Sequence, residues 1–182
     1  MYKPQLIIVT GRPGSGKSTL SQILSKEIRC PLVSRDEIKE GYVNTTEKEH
    51  YKISEEENKK IYNVFFDTIE NFLGNNITII AEAAFQHKLW MKKYQNLVLK
   101  SNITIIICKI DSESAYRRYT KRKSDDPLWE YYHGDATFSI KNEQYDCIKS
   151  QEPTLEVDTT NNYNPNIKDI ISFIRKERKN CA

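Results

Sequence analysis

The sequence predicts an α/β fold in which a five-stranded parallel sheet carries helices on both faces. First, apolar strand-like runs alternate along the chain with segments in which apolar residues recur at helical spacing. Second, a glycine-rich turn joins the first run directly to the first helical segment. Third, polar residues follow several runs where the predicted strands end, which is the edge at which parallel sheets bind ligands.

The composition is that of a folded protein whose charge indicates no particular macromolecular partner. With 182 residues, of which 38% are hydrophobic and 29% charged, the chain fits a single domain over 1–182. A net charge of +3 is too small to indicate a nucleic-acid or membrane partner, and no apolar run is long enough to span a membrane. The four cysteines lack C-x-x-C spacing and no leader opens the chain, so we expect a reduced, cytoplasmic compartment.

The first part of the chain yields two strands and a helix. Residues 6–9 form the first strand, and apolar spacing predicts a helix over 16–28. A brief buried strand over 31–33 ends at the polar residues 34–37, which are suited to capping a helix while facing a cleft. The segment 41–57 is strongly polar and lacks a clear period, which predicts a mobile or partly helical excursion.

The rest of the chain continues the alternation. A helix over 55–73 stops at Gly74, and the β-branched strand 77–81 ends in Glu82. The remaining predicted elements are a helix around 89–98, a strand over 103–110, a helix that Asp111 and Ser112 cap, a helix between about 138 and 148, a strand over 155–158 and a closing amphipathic helix over 167–174.

The glycine-rich turn fits the pattern of a phosphate-binding P-loop. Such a turn lets successive backbone N–H groups meet an anion, and the following helix directs its positive end at the same point. Lys17 then supplies an ammonium for the β- and γ-phosphates, and Ser18 a hydroxyl ligand for Mg²⁺. An ordinary glycine-rich turn explains Gly11 but neither of these two residues. The predicted nucleotide-binding residues are Gly11, Arg12, Pro13, Gly14, Ser15, Gly16, Lys17, Ser18 and Thr19.

A phosphate-binding or acidic residue follows each of the first three strands: Gly11, Asp36 and Glu82. Right-handed crossovers would bring these strand ends together along one edge of the sheet. The predicted architecture is therefore a three-layer P-loop NTPase fold with its site at that edge.

These residues resemble a known group, the P-loop kinases related to phage-type polynucleotide kinase, chloramphenicol phosphotransferase, the zeta toxins and gluconate kinase. The resemblance spans most of the chain and rests on the P-loop, the stretch 34–37, Glu82, and the arginine-rich helix with Arg118 and Arg122. It implies ATP and Mg²⁺ as cofactors and a helical lid over about 112–135.

The resemblance also implies catalytic roles outside the P-loop. Asp36, 19 residues after Lys17, matches the carboxylate that accepts the proton of the acceptor hydroxyl, although a simple helix N-cap also explains it. Arg122, and next Arg118, match the lid arginine that meets the charge developing during transfer. A solvated basic face is the alternative for both arginines.

Three further residues are predicted to bind substrate: Arg35, Lys39 and Glu82. Glu82 stands where the group often has an aspartate, and it would hold a Mg²⁺-bound water or a substrate hydroxyl, unless it is a plain strand-end carboxylate. Lys39 stands where polynucleotide kinase has an arginine that contacts a substrate phosphate. This difference weakens the hypothesis that the substrate is a nucleic acid.

Other polar and aromatic residues receive less specific interpretations. The stretch 129–135 suits a substrate wall, but packing in a core or loop is the simpler explanation, and no role is assigned to His133 within it. Residues 158–160 fall where related kinases contact the nucleotide base. His50 and His87 lack metal-ligand spacing and receive no role.

The sequence therefore predicts an ATP-dependent phosphotransferase that moves the γ-phosphate of ATP to a hydroxyl of a small molecule. A polynucleotide 5′-hydroxyl kinase is a less favoured alternative, because the basic charge is concentrated on one helix and is not interleaved with aromatic residues along a groove. An ATP-binding switch or partner module is an alternative of another class, which the unassigned segment 41–57 favours.

Overall fold

The structure is a computed structural model that describes residues 3–135 and 147–180. Its strands are β1 (Gln5–Gly11), β2 (Leu32–Ser34), β3 (Ile79–Glu82), β4 (Asn102–Lys109) and β5 (Thr154–Asp158). They form one sheet in the order β2-β3-β1-β4-β5, in which all neighbouring strands are parallel. The predicted five-stranded parallel sheet is confirmed.

Helices cover both faces of this sheet. In the described residues they are α1 (Lys17–Ile28), α2 (Arg35–Thr46), α3 (Glu55–Gly74), α4 (His87–Lys100), α5 (Ser112–Asp125), α6 (Trp129–His133) and α7 (Ile167–Asn180). Successive residues of β1 point to opposite faces. Leu6 and Ile8 lie in an apolar cluster with residues of α3 and α4, whereas Ile7 and Val9 lie in a second cluster with residues of α1 and α7. The three-layer prediction is therefore confirmed.

Polar residues at or just after the ends of strands cap the amino ends of two helices, α2 and α5. The Ser34 hydroxyl accepts a hydrogen bond from the Glu37 N–H at 3.5 Å at the start of α2. The Asp111 carboxylate accepts one from the Ser114 N–H at 2.7 Å at the start of α5. Such caps satisfy N–H groups that the first helical turn leaves without partners. Both helices are thereby held with their amino ends at the ligand-binding edge of the sheet.

The segment 41–57 is partly helical, which is one of the two descriptions that the sequence predicted. The helix α2 continues to Thr46, and a 3₁₀ turn at His50–Lys52 follows. The sequence shows no clear period here because Val43 is the one fully buried apolar residue of α2 in that part. The structure departs from the sequence-based elements further along the chain. The short helix α6 was not predicted. The helix predicted between about 138 and 148 lies outside the described residues except at its last two positions, where Cys147 forms an isolated bridge to Gln86.

None of the helices that the structure describes is both long enough and apolar enough to cross a membrane.

Candidate active site

The P-loop connects β1 to α1 and has the backbone that its glycines predict. The Ser15 N–H donates to the Arg12 carbonyl at 3.1 Å, which closes the turn. Gly14 and Gly16 have φ angles of 78° and 77°, in the left-handed region that favours glycine. A Cβ on Gly14 would lie 2.4 Å from the carbonyl oxygen of Ala115 in α5, so the basic helix packs directly on the loop.

Lys17 and Glu82 form a buried ion pair beneath the loop. The Lys17 Nζ lies 3.8 Å from Glu82 Oε1, and the Glu82 residue is only 2% exposed. Burial raises the pKa of the Glu82 carboxyl, and the positive charge of Lys17 acts in the opposite direction. Oε1 of Glu82 has no hydrogen-bond partner among the described residues. The buried Oε1 therefore has Lys17 as its ionic partner and is closed off from solvent.

Ser34 links this ion pair to the start of α2. The Ser34 hydroxyl donates to Glu82 Oε2 at 2.9 Å. The Ser34 hydroxyl oxygen also accepts a hydrogen bond from the Glu37 N–H in the first turn of the helix. Ser34 and Glu82 are neighbours because the last residues of β2 and β3 are in register. The position of the helix that carries Asp36 is therefore coupled to the carboxylate that pairs with Lys17.

Asp36 presents a half-exposed carboxylate in the first turn of α2. Its Oδ1 accepts a hydrogen bond from Arg35 Nη1 at 3.3 Å. Burial acts to raise the pKa of Asp36, but the charges of Lys17 and Arg35 outweigh it and hold the pKa below its ordinary value. Asp36 is thus ionised at neutral pH and can accept a hydrogen bond from a hydroxyl.

Lys39, one helical turn further along α2, is almost completely buried, with 3% of its surface exposed. Its ammonium contacts Nδ1 of His50, from the 3₁₀ turn. Burial, with a contribution from the charge of Arg35, lowers the pKa of Lys39 to about 8. Burial also lowers the pKa of His50 below its ordinary value. Lys39 and His50 therefore place an amine and an imidazole side by side in the wall of the site.

The arginines of α5 have different surroundings. Arg118 donates through Nη2 to the carbonyl oxygens of Thr159 and Thr160, at 2.7 and 2.9 Å, and thereby ties α5 to the loop after β5. Arg122 is exposed and lies over the ring of Trp129, with its Cζ 5.3 Å from the ring centroid. Of the two, Arg122 is the more exposed, which suits the predicted lid role.

The short helix α6 covers the site by docking on α2 and the 3₁₀ turn. The Tyr132 hydroxyl donates to Asn44 Oδ1 at 2.6 Å, and His133 Nε2 lies 3.1 Å from Glu40 Oε1. Gly134 follows with a φ of 69°, and a Cβ there would lie 2.5 Å from the His50 ring. The segment 41–57 thus supplies part of the surface on which the cover rests.

Two cavities meet at the P-loop. The charged and polar residues that line the first, of about 340 Å³, include Lys17, Ser18, Asp36 and Lys39. The second, of about 550 Å³, is lined mainly by the loop, by α5 and by the segment after β5. Gly14 and Arg122 line both cavities.

The cavities bring together most of the predicted site residues, but not all. Those that line one or both are Pro13, Gly14, Gly16, Lys17, Ser18, Thr19, Arg35, Asp36, Lys39, Arg118 and Arg122. Gly11, Ser15 and Glu82 are buried behind the wall and line neither cavity. Arg12 also lies outside both, and its Nη1 donates to the Ser112 hydroxyl at 3.0 Å. The roles predicted for all of these residues stay predictions.

Sequence reasoning missed most of the aromatic part of the first cavity. Of the stretch 129–135, which suits a substrate wall, Trp129 and His133 line the cavity, and His50 also lines it. The aromatic lining residues without a predicted role are Tyr62, Phe65, Phe66, Phe85, Trp90 and Tyr119. The apolar spacing of α3 and α4 predicts a buried face but does not indicate that part of the face borders a cavity. Only Phe85 could have been predicted to lie near the site, because it comes three residues after Glu82, at the end of a strand.

The fold and the loop together are those of the P-loop kinases, and comparison with known proteins confirms the resemblance seen in the sequence. The chain belongs to the AAA domain family, whose model matches residues 6–138. None of the curated proteins matches the chain.

Solved structures resemble the chain over most of its length. A candidate kinase from Chloroflexus aurantiacus is 25% identical, with a TM-score of 0.83 over 96% of this chain and 98% of that one. A gluconokinase from Sinorhizobium meliloti is 11% identical, with a TM-score of 0.64 over 98% and 95% of the two chains. A chain of the Pnkp1/Rnl/Hen1 RNA repair complex is 17% identical, with a TM-score of 0.58 over 83% of this chain and 51% of that one. The last two show the fold alone, whereas the family and the first structure support an ATP-dependent phosphotransferase in general terms.

Proposed function

We propose that the protein is a kinase that transfers the γ-phosphoryl group of ATP to a hydroxyl of a small molecule. The observation that carries the proposal is that the P-loop lysine and an ionised aspartate line the same cavity. Lys17 and Asp36 come from different strand ends, and both border the cavity of about 340 Å³. A nucleotide switch needs the lysine but has no use for the aspartate at this position.

The two cavities suggest how the substrates divide the site. ATP would occupy the cavity of about 550 Å³ with its base near Thr159 and Tyr163 and its phosphates on the P-loop. The acceptor would occupy the cavity of about 340 Å³. Gly14 and Arg122 line both cavities, so the γ-phosphoryl group would lie at their junction.

The transfer step needs little covalent chemistry from the protein. The acceptor oxygen forms a bond to the γ-phosphorus while the bond from that phosphorus to the β,γ-bridging oxygen breaks, and ADP leaves with the electron pair. The hydroxyl proton passes to the carboxylate of Asp36. Because the transition state is loose, the main contribution of Asp36 is to orient the hydroxyl, and Arg122 would meet the charge on the transferring group.

The residues present fit a Mg²⁺ ion. The Ser18 hydroxyl lies at the start of α1 on the cavity wall, where it would be a ligand. When bound, Mg²⁺ would neutralise part of the charge of the phosphates. The described residues contain no group of three or more His, Cys, Asp or Glu side chains suited to a metal, which agrees with an ion held mostly by phosphate and water.

The acceptor is better matched by a small molecule than by a nucleic acid. A cavity of about 340 Å³ falls near the lower end of the range for small-molecule pockets, roughly 300–1,000 Å³. The helix α6 contributes Trp129 and His133 to its wall, whereas a strand of nucleic acid needs a long open groove. Arg35 and Lys39 would contact polar groups of the acceptor.

The test is acceptor-stimulated ADP release from ATP and Mg²⁺, measured over sugars, nucleosides, antibiotics, simple alcohols and 5′-hydroxyl oligonucleotides. We expect stimulation by at least one class of small alcohol and none by oligonucleotides. Strong labelling of oligonucleotides would instead favour the polynucleotide kinase. Nucleotide-dependent assembly without stimulation by any acceptor would favour the switch.

A further inference from the structure

We propose that the acceptor is an alcohol that carries a planar aromatic ring, and that this ring binds against the aromatic wall of the cavity. The inference rests on the proposed function and names the substrate class of the same site. The aromatic wall is defined as Tyr62, Phe65, Phe66, Phe85 and Trp90, which all line the cavity of about 340 Å³.

The wall is a continuous set of ring contacts. The centroids of Phe65 and Phe66 are 5.3 Å apart with the rings at 83°, and those of Phe85 and Trp90 are 5.6 Å apart at 89°. Phe65 and Phe85 join the two pairs, with centroids 5.8 Å apart. Edge-to-face packing of this kind fixes each ring through its neighbours. A fixed wall receives a flat ligand surface with little loss of side-chain freedom.

The lining of the cavity combines two kinds of chemistry. Lys17, Asp36 and Lys39 contribute charged groups, and the aromatic wall contributes apolar surface. An acceptor with a hydroxyl on every carbon would turn several of them towards the wall, where they would lose water without gaining a hydrogen bond. An acceptor with one hydroxyl-bearing end and one aromatic end matches both surfaces.

Trp90 provides an independent observation that points to a ligand. Its side chain is completely buried, and its Nε1 has no hydrogen-bond partner among residues 3–135 and 147–180. A buried N–H without a partner is unfavourable, and indole N–H groups usually find one. Because Trp90 lines the cavity, an oxygen or nitrogen atom on or beside the ligand ring would supply it.

The first test compares matched acceptors on the full chain with ATP and Mg²⁺, by the rate of ADP release. Phenyl- and pyridyl-substituted alcohols are compared with cyclohexyl alcohols and open-chain polyols of similar size. We expect kcat/KM for the aromatic alcohols to exceed that for the polyols by roughly ten- to a hundredfold, the value of burying a ring-sized apolar group.

Each other outcome of this series overturns the inference. Polyols that react as well as aromatic alcohols would overturn it while leaving the kinase intact. Cyclohexyl alcohols that match their phenyl counterparts would overturn the requirement for a planar ring. Failure of every acceptor class would overturn the proposed function itself, so the two failures are distinguishable.

The second test uses a pair of variants that make the same change in the same apolar cluster. Phe85 lines the cavity, whereas Phe72 packs against that cluster without lining it. We expect Phe85→Leu to lower the preference for phenyl alcohols over polyols by about fivefold and Phe72→Leu to leave the preference unchanged. Equal changes in both variants would mean that the wall is only part of the core, and would overturn the inference.

A third variant isolates the indole N–H. Trp90→Phe keeps an aromatic ring and removes the donor, so we expect any preference for pyridyl over phenyl alcohols to disappear. A pyridyl preference that survives this change would overturn the role of Nε1. Thermal unfolding of each variant identifies those that fail to fold, and the acceptor series on the unaltered protein does not depend on them.

Discussion

The two halves of the candidate site are built in different ways. The donor half comes from consecutive residues, 11–19, whose backbone and few side chains suffice to hold phosphates. The acceptor half is assembled from α2, α3, α4 and α6, which are far apart in the chain and meet only through packing. The donor half is therefore specified locally, and the acceptor half is specified by tertiary structure. One buried chain of contacts, from Lys17 through Glu82 to Ser34, joins them.

Lys17→Ala removes the main charge of the donor half and has the largest expected effect. We expect ADP release to fall by roughly 10³-fold or more, because the ammonium that would meet the γ-phosphate is removed. Lys26→Ala, which removes an exposed lysine from the last turn of the same helix, is the matched control and should be close to unaltered. Steady-state ADP release measures both, and a Lys17 variant with near-normal turnover would contradict the donor assignment.

Asp36→Asn tests the acceptor half and leaves the donor half in place. Loss of the proton acceptor should lower transfer by roughly 10²- to 10⁴-fold, while the affinity for ATP stays nearly constant. Calorimetry of ATP binding and acceptor-dependent ADP release separate the two effects. Glu37→Gln neutralises the neighbouring exposed carboxylate and serves as the control. If the asparagine variant kept full activity towards the true acceptor, the assignment of Asp36 would be wrong.

Arg122→Ala tests the junction of the two cavities. We expect kcat to fall by roughly 10²-fold with a smaller change in KM, because the guanidinium would act mainly on the charge of the transition state. Arg117→Ala removes an exposed arginine from the same helix that lines neither cavity, and it should have little effect. Equal losses in the two variants would indicate that α5 contributes only a general basic face.

Ser34→Ala breaks the hydrogen bond between the two halves and has the smallest expected effect, about tenfold in kcat. The Ser34 hydroxyl lowers the pKa of Glu82, against the larger effect of burial, so its removal should raise that pKa further. If transfer needs Glu82 ionised, the acid limb of the pH–rate profile moves to higher pH. Ser34→Thr keeps the hydroxyl and should restore the profile, whereas loss of the helix cap alone would not move the limb.

The difference between the locally specified donor half and the acceptor half also explains which parts of the fold and site the sequence could predict. The P-loop, the strands and the position of Asp36 follow from short local patterns, and the convergence of Gly11, Asp36 and Glu82 at one edge follows from right-handed crossovers. The buried position of Glu82 behind Lys17 could not be read from a strand-end carboxylate alone. It depends on the parallel register that sets Ser34 beside Glu82.

The aromatic lining of the acceptor half could not be predicted from the sequence, for a physical reason. Phe65 and Phe66 have the spacing of any core-facing helix, and only the packing of α3 against α4 and the loop after β3 makes them line a cavity. The resemblance implied a helical lid over about 112–135, but not where the short helix α6 lies, because that position depends on contacts such as Tyr132 with Asn44. Contacts of this kind join residues that no local pattern relates.

The central claim is that the γ-phosphoryl group of ATP passes to a hydroxyl held beside Asp36. The most direct measurement incubates the protein with Mg²⁺, an aromatic alcohol and ATP labelled in its γ-phosphate, and follows the label. The account predicts that the label appears on the alcohol, and that Asp36→Asn abolishes this transfer while ATP still binds. Label that remains in ATP or appears only as inorganic phosphate with every alcohol tested would contradict the account.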